Sequence, residues 1–352
     1  LHSDTHSFPT RRSSDLQIAD QIEKKGGELN GYTSETHTAF YCKMPSKELN
    51  TALEVLSDVV KNPLFDEKEL EKEKKVIFEE IKMRRDNPAA HVIDNIFSFL
   101  YKEPFGTNII GDYKTVGNVS REDLVKKFNE SYATENLILT VVGDAKFEEI
   151  VKFAEDNFSE KKGKILEVKS EKINKQKIEE RQGVDQANLA FSFHVPTIND
   201  KKNYAAQILN CMMANGLSSR LFNEIREKRN LAYAIKGHSE VSNKFSFNLI
   251  FVGTMKENIE KVKKLILEEY EKVSKELSEK ELKQTKEQLI GNYRISLEDS
   301  QTQMMNLINF EVDKDAEEFY EYVDNISKVK LEDVKEIAKI KDYSFFALVP
   351  KD

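Results

Sequence analysis

Apolar positions recur along this chain with two periods, and the switches between them outline its elements. Residues 18–25 carry helical spacing that stops at Gly26-Gly27, and residues 28–44 alternate polar and apolar as strand, turn and strand do. Residues 46–61 predict an amphipathic helix with Leu49, Leu53, Leu56 and Val60 on one face. After Pro63, Asp66 with Glu69 three residues on has the form of a capping box, opening a helix that runs to about Arg85, ahead of Pro88. Further helices are expected at 92–100 and 121–130, and a short buried strand at 137–142, closed by Gly143-Asp144. From Glu160 to Gly183 apolar residues thin out among Lys, Glu and Gln, which marks a domain boundary. Beyond it come a strand at 189–195 with Leu189, Phe191, Phe193 and Val195 on one face, and a helix at 204–214. A half-buried strand with Phe245, Phe247, Leu249 and Phe251 follows, then long helices at 257–276 and 279–295 and a last strand at 344–349.

The halves echo one another. The segment Leu64 to Leu70 aligns without gaps to Glu276 to Leu282, each preceded by one amphipathic helix and followed by a longer one. A duplicated α/β domain follows, with residues 17–170 as the first copy and 171–352 as the second.

Composition narrows the classes of function. A 39% apolar share suffices for real cores, and the apolar runs are far too short to span a bilayer, so no membrane is expected as a partner. A net charge of −8, with Lys and Glu intermixed along helices, argues against nucleic acid, which would gather a basic face. The two cysteines, Cys42 and Cys211, lack any metal-ligand spacing and fit a reducing cytoplasm. No signal peptide is legible at the start. His2 and His6 stand four apart, as a helical zinc site would have them. Residues 5–16, however, look like a translated sequencing adapter, so 1–16 is set aside as non-native, native sequence is expected to begin near Gln17, and the copy is expected to be truncated.

The best local chemistry lies in the helix from Glu67 to Arg85. At 100° per residue Leu70, Val76, Ile77 and Ile81 define an apolar arc, and Glu73 and Glu80 fall inside it. A carboxylate aimed at a core needs a cation, a hydrogen bond or a metal. Arg84 is one candidate cation; a bound metal is the other. The repeat places Thr285 and Asn292 at the matching positions, so the acidic pair belongs to the first domain alone, which favours a task over a structural need.

The run Glu73-Lys74-Lys75-Val76-Ile77-Phe78-Glu79-Glu80 resembles the second metal segment of the pitrilysin/insulinase-type zinc metallopeptidases, the inverted zincins, which include mitochondrial processing peptidase and its bacterial relatives. The resemblance covers roughly residues 18–352. It implies an α+β fold of two tandem homologous domains, each an antiparallel-rich sheet packed by helices. In that family a His-x-x-Glu-His helix supplies two zinc ligands and a general base. The resemblance makes Glu80 the third ligand and Glu73 a supporting acid of the catalytic site. Lys25 to Ser34 is similar to the strand that pairs with the substrate backbone, which implies substrate-binding roles for Asn30 and Thr33. Ser218 to Arg226 followed by Leu231-Ala232-Tyr233 matches the family's Arg and Tyr, seven apart, so Arg226 and Tyr233 would bind the substrate carbonyl and hold the tetrahedral intermediate.

One element of the pattern is missing. No His-x-x-Glu-His occurs anywhere in the sequence, and by the family spacing its end would fall near Ser3 and Asp4. His37, His91, His194 and His238 are scattered and read as structural. The resemblance thus implies a zinc endopeptidase acting on extended peptides, cytoplasmic and homodimeric, with this copy expected to be inactive and to retain no zinc. The alternative is a non-catalytic subunit or peptide-binding scaffold of the same fold.

Overall fold

The computed structural model describes residues 15–164 and 167–351. Residues 2–6, where two histidines and the projected end of the metal motif fall, lie outside them, as do residues 5–14 of the adapter-like stretch. The described chain forms two units. One takes the residues up to Ile81 together with Ile109–Glu167 and Asp299–Ile308, and the other takes Lys82–Asn108, Val168–Glu298 and Asn309 onward.

In the first unit, helix α1 (Asp15–Glu23) ends where Gly26 adopts φ +76° and Gly27 donates back to the Ile22 carbonyl at 3.0 Å. Strands β1 (Glu28–Thr33) and β2 (Thr38–Lys43) then pair antiparallel around a turn closed by Ser34 N–H to His37 C=O at 2.8 Å. Helix α2 (Leu49–Lys61) buries Leu53, Val55 and Val59, and the two valines form a small core with Ile18 and Ile22, backed by Leu29, Phe40 and Met44. The buried stripe is offset from the expected one, since Leu56 and Val60 are only half-buried. Helix α3 (Glu67–Asp86) starts at Asp66, whose Oδ1 accepts from Lys68 and Glu69 N–H. The reciprocal half of the expected box is replaced by an ion pair: Glu69 turns to Lys72 at 2.7 Å.

Helix α4 (Pro88–Leu100) follows, then α5 (Tyr113–Asn118), α6 (Arg121–Ser131) and α7 (Phe147–Asn157). Residues 137–142 do not form the expected strand. A strand requires a partner ladder, none of the described residues supplies one, and Ile138 and Leu139 are exposed. Among the described residues the sheet of this unit is therefore the β1–β2 pair alone.

The second unit is built on a five-stranded sheet. Its strands are β3 (Gln176–Arg181), β4 (Ala187–His194), β5 (Ala232–Val241), β6 (Ser246–Thr254) and β7 (Ser344–Pro350), in the order β3-β7-β4-β6-β5. Only β3 and β7 run parallel. One face carries helices α8 (Asn203–Ala214), α9 (Ile259–Glu276), α10 (Glu279–Ser296), α12 (Glu317–Lys328) and α13 (Leu331–Ile337), packed on Leu189, Phe191, Ile250, Val252, Phe345 and Ala347. Helix α11 (Ser300–Asp313) lies between α10 and α12 in the chain.

The opposite face of that sheet is covered by α4. Val92, Ile96 and Leu100 meet Phe245, Phe247, Leu249, Phe251, Phe346 and Leu348. For this reason the strand expected to be half-buried is buried throughout, and β4 likewise has both faces covered. The repeat survives in the caps: Ser278 caps α10 through Glu281 N–H, as Asp66 caps α3. Cys42 and Cys211 are both free thiols.

Candidate functional site

The segment that carries Arg226 does not continue as ordinary α-helix. Residues Phe222–Glu227 form a π-turn, in which Lys228 N–H reaches five residues back to the Asn223 carbonyl at 2.9 Å. Buried Glu224 anchors it by accepting from Lys228 at 2.7 Å and Arg229 at 2.5 Å. The hydrogen bond from Lys228, the first of the causes, and that from Arg229 hold its carboxyl below the usual range, against the opposing effect of burial. Asn230, at φ +51°, turns the chain, and Leu231 N–H closes the turn on the Ile225 carbonyl at 3.0 Å. Arg226 is thereby left on the surface, its guanidinium 4.9 Å above the Phe222 ring.

Tyr233 follows seven residues later, at an irregularity in β5. Ala232 pairs with Thr254 and Ala234 with the very next residue on that strand, Gly253, which leaves Tyr233 as the extra residue of a β-bulge. Arg226 Nη1 donates to the Tyr233 main-chain carbonyl at 3.0 Å. The phenol is 43% exposed, its hydroxyl stands 3.4 Å from Asn188 Oδ1, and burial of the remainder pushes its pKa up. The two residues singled out in this domain are thus joined through the Tyr233 main chain, and each keeps an exposed polar group. Both are hydrogen-bond donors of the kind that holds a polarised carbonyl oxygen. Asn188 and Gly253 were not anticipated from the sequence; a glycine inside an apolar strand, as in Phe251-Val252-Gly253-Thr254, is the one local sign of a close approach.

The first unit carries the other candidates. Asn30 and Thr33 lie on β1, which pairs only with β2, so its other edge has no partner strand among the described residues. Asn30 Oδ1 accepts from Gly31 N–H at 2.7 Å, and Thr33 meets Thr38 across the pair at 3.3 Å. Glu73 and Glu80 on α3 are half-buried rather than in a core, because α3 buries none of its residues and Val76 in the arc is 43% exposed. Glu80 makes no hydrogen bond or ion pair among the described residues. Arg84 is engaged elsewhere, in a bidentate pair with Asp94 at 2.9 and 2.5 Å.

The residues at hand do not fit a catalytic zinc, which takes three protein ligands and a water. Among the described residues no group of three His, Cys, Asp or Glu side chains could hold a metal. The described histidines are committed elsewhere: His37 to Tyr32 and Ser34, His91 to Glu179, His194 to Tyr101 and the Ile173 carbonyl, and His238 to Glu240.

Comparison with known proteins places these features in a lineage. Residues 7–112 match the insulinase family (peptidase family M16), and residues 118–289 match the peptidase M16 inactive domain. A Rickettsia felis protein named an uncharacterized zinc protease is 32% identical over 292 residues, 80% of this chain and 69% of its own length. The Bacillus subtilis uncharacterized zinc protease YmxG is 28% identical over 349 residues, 97% of this chain and 85% of its own. A crystal structure of a protease from Helicobacter pylori shares the fold at a TM-score of 0.90 and 22% identity, over 97% of this chain and 87% of that one. The chain belongs to the insulinase (peptidase M16) family of zinc-protease-like proteins.

Proposed function

We propose that this chain carries the peptide-binding and carbonyl-holding parts of a zinc-dependent endopeptidase that acts on extended peptides. The observation that carries the reading is the link between Arg226 and Tyr233: a π-turn and a β-bulge, both uncommon backbone devices, bring the Arg226 guanidinium to the Tyr233 main-chain carbonyl at 3.0 Å and leave the Tyr233 side chain partly exposed. An extended segment has main-chain carbonyls to offer such donors. A β-strand whose outer edge has no partner among the described residues, bearing Asn30 and Thr33, offers main-chain pairing that reads shape more than sequence. Zinc, when bound in this family, supplies the activated water. Here Glu80, supported by Glu73, is the one ligand we assign to it. On this reading the chain as written binds peptide, retains no stoichiometric zinc and cleaves nothing, and it works as a cytoplasmic homodimer.

A second reading, a non-catalytic subunit or scaffold, is favoured by one observation: the described residues hold no three-ligand group. The match of residues 118–289 to an inactive domain agrees with it. Both readings expect peptide binding and no zinc on the chain as written, and they part on whether zinc-dependent cleavage appears once a His-x-x-Glu-His segment is supplied.

The test uses a fluorescent, unstructured peptide titrated with the full chain in chelator, beside a zinc titration and a cleavage assay. Arg226→Ala and Tyr233→Phe are expected to weaken peptide binding about tenfold each, the worth of one good hydrogen bond. Equal affinity in both variants and the parent would end the carbonyl-holding assignment. One tightly bound zinc with chelator-sensitive cleavage would show the metal site to be complete without further residues.

A further inference from the structure

The phenol of Tyr233 rests on a surface made for it, and that surface has no other evident purpose. Gly253 on β6 is buried, and a Cβ built there would stand 2.3 Å from Tyr233 Cζ, 2.5 Å from Cε2 and 2.6 Å from Oη. The hydroxyl end of the ring therefore lies directly across the Gly253 backbone. The glycine is required for space, since its φ is not in the left-handed region. Gly253 pairs across the sheet with Asn188 of β4, which is 7% exposed and offers Oδ1 to the Tyr233 hydroxyl at 3.4 Å. Asn188 is itself held, its Nδ2 donating to the Gln186 carbonyl at 3.2 Å.

We propose that Asn188 and Gly253 are positioning residues that seat the Tyr233 phenol and store its proton until a peptide carbonyl arrives. The inference rests on the carbonyl-holding role of Tyr233 given above. In the free chain the hydroxyl points to Asn188 across 3.4 Å, longer than the usual O–H···O bond, so the contact is weak and readily exchanged. When a carbonyl oxygen is presented, the hydroxyl rotates about its C–O bond and donates to it instead. No bond to carbon is made or broken, and the ring does not have to move, because it lies against the Gly253 backbone while the bulge and the Arg226 bond hold the Tyr233 main chain. Such a preset donor costs little reorganisation at the moment of binding.

The experiment uses the full chain with ζ-13C-tyrosine, the Tyr233 signal being assigned by its loss in Tyr233→Phe. The pH titration of that signal and the affinity for the fluorescent peptide are followed together. Gly253→Ala is expected to displace the signal and weaken binding about tenfold. Asn188→Asp puts a stronger acceptor against the hydroxyl and is expected to raise the titration midpoint of Tyr233 while weakening binding, and it keeps the test open should Gly253→Ala fail to fold. Asn188→Ala removes the acceptor that the hydroxyl must leave, so it is expected not to weaken binding in the parent and to change nothing in the Tyr233→Phe background, as two residues acting through one group must. A Tyr233 signal unmoved by Gly253→Ala and Asn188→Asp would overturn the seat. Additive losses in the double variant would overturn the coupling. If Tyr233→Phe binds peptide as the parent does, the carbonyl-holding role fails and takes the inference with it, while the tyrosine signal still reports separately whether the shelf holds the ring.

Discussion

At the scale of single residues, two acids show how differently a carboxylate can be kept. Glu224 is buried and takes hydrogen bonds from Arg229 and Lys228, so its charge is answered and its π-turn depends on it. Glu80 is half-buried with no such partner among the described residues, so little of its helix's stability hangs on its charge. Glu80→Gln is therefore expected to change stability by no more than about 0.5 kcal/mol in a urea melt. Glu224→Gln is expected to cost about 1–2 kcal/mol, since both cations lose a charged acceptor. A large loss at Glu80 would show that its side chain supports the fold after all. The same contrast explains what was legible. Arg226 and Tyr233 stood out through their motif and spacing, and the structure links them, whereas Glu80 stood out through an apolar arc that the structure leaves unburied. Asn188, 45 residues before Tyr233 in the chain, became visible only when the sheet brought β4 beside β6 and set Gly253 between them.

At the scale of elements, local chemistry carried most of the reading. Gly26-Gly27 ended α1 and Asp66 opened α3 as expected, because turns and caps are decided within four residues. What failed were properties set by partners from elsewhere. The apolar run 137–142 has the composition of a strand but no ladder among the described residues, and Phe245 to Phe251 alternates like a half-buried strand yet is buried throughout because α4 lies on it. Asp299, ahead of α11, gives an acid-sensitive example of a cap. It accepts from Thr302 N–H and Oγ1 and pairs with Lys43 of β2 at 2.7 Å, and that ion pair, first among the causes, holds its carboxyl down to about 2. A carboxyl depressed in the folded state stabilises above its unfolded value, near 4, and loses that contribution as pH falls toward 2. Asp299→Asn should therefore lower the Tm at neutral pH and converge with the parent in acid. A gap between the two that persists unchanged at pH 2 would assign the effect to something other than the charge.

For the molecule as a whole, the telling fact is that the two units are not two consecutive stretches of chain. A cut near residue 170 separates the repeats by sequence, yet Lys82–Asn108 belongs to the second unit, and the repeat-related stretch after α10 gives Asp299–Ile308 to the first. The reason is energetic. The second unit's sheet has two apolar faces, and the helices that come after residue 200 cover one of them. Phe245, Phe247, Leu249, Phe251, Phe346 and Leu348 on the other face are covered by Val92, Ile96 and Leu100 of α4, each fully buried and each contributing about 1.5–3 kcal/mol. Net stability of an ordinary domain is only about 5–15 kcal/mol, so losing three such side chains removes much of it. Residues 168–352 expressed alone should therefore bind a hydrophobic dye such as ANS and melt without cooperativity, whereas the same fragment with residues 82–108 joined through a flexible linker should regain a sharp transition. A cooperative melt of the bare fragment, with no dye bound, would mean that the sheet can close its second face unaided and that α4 is an ornament rather than half of the core.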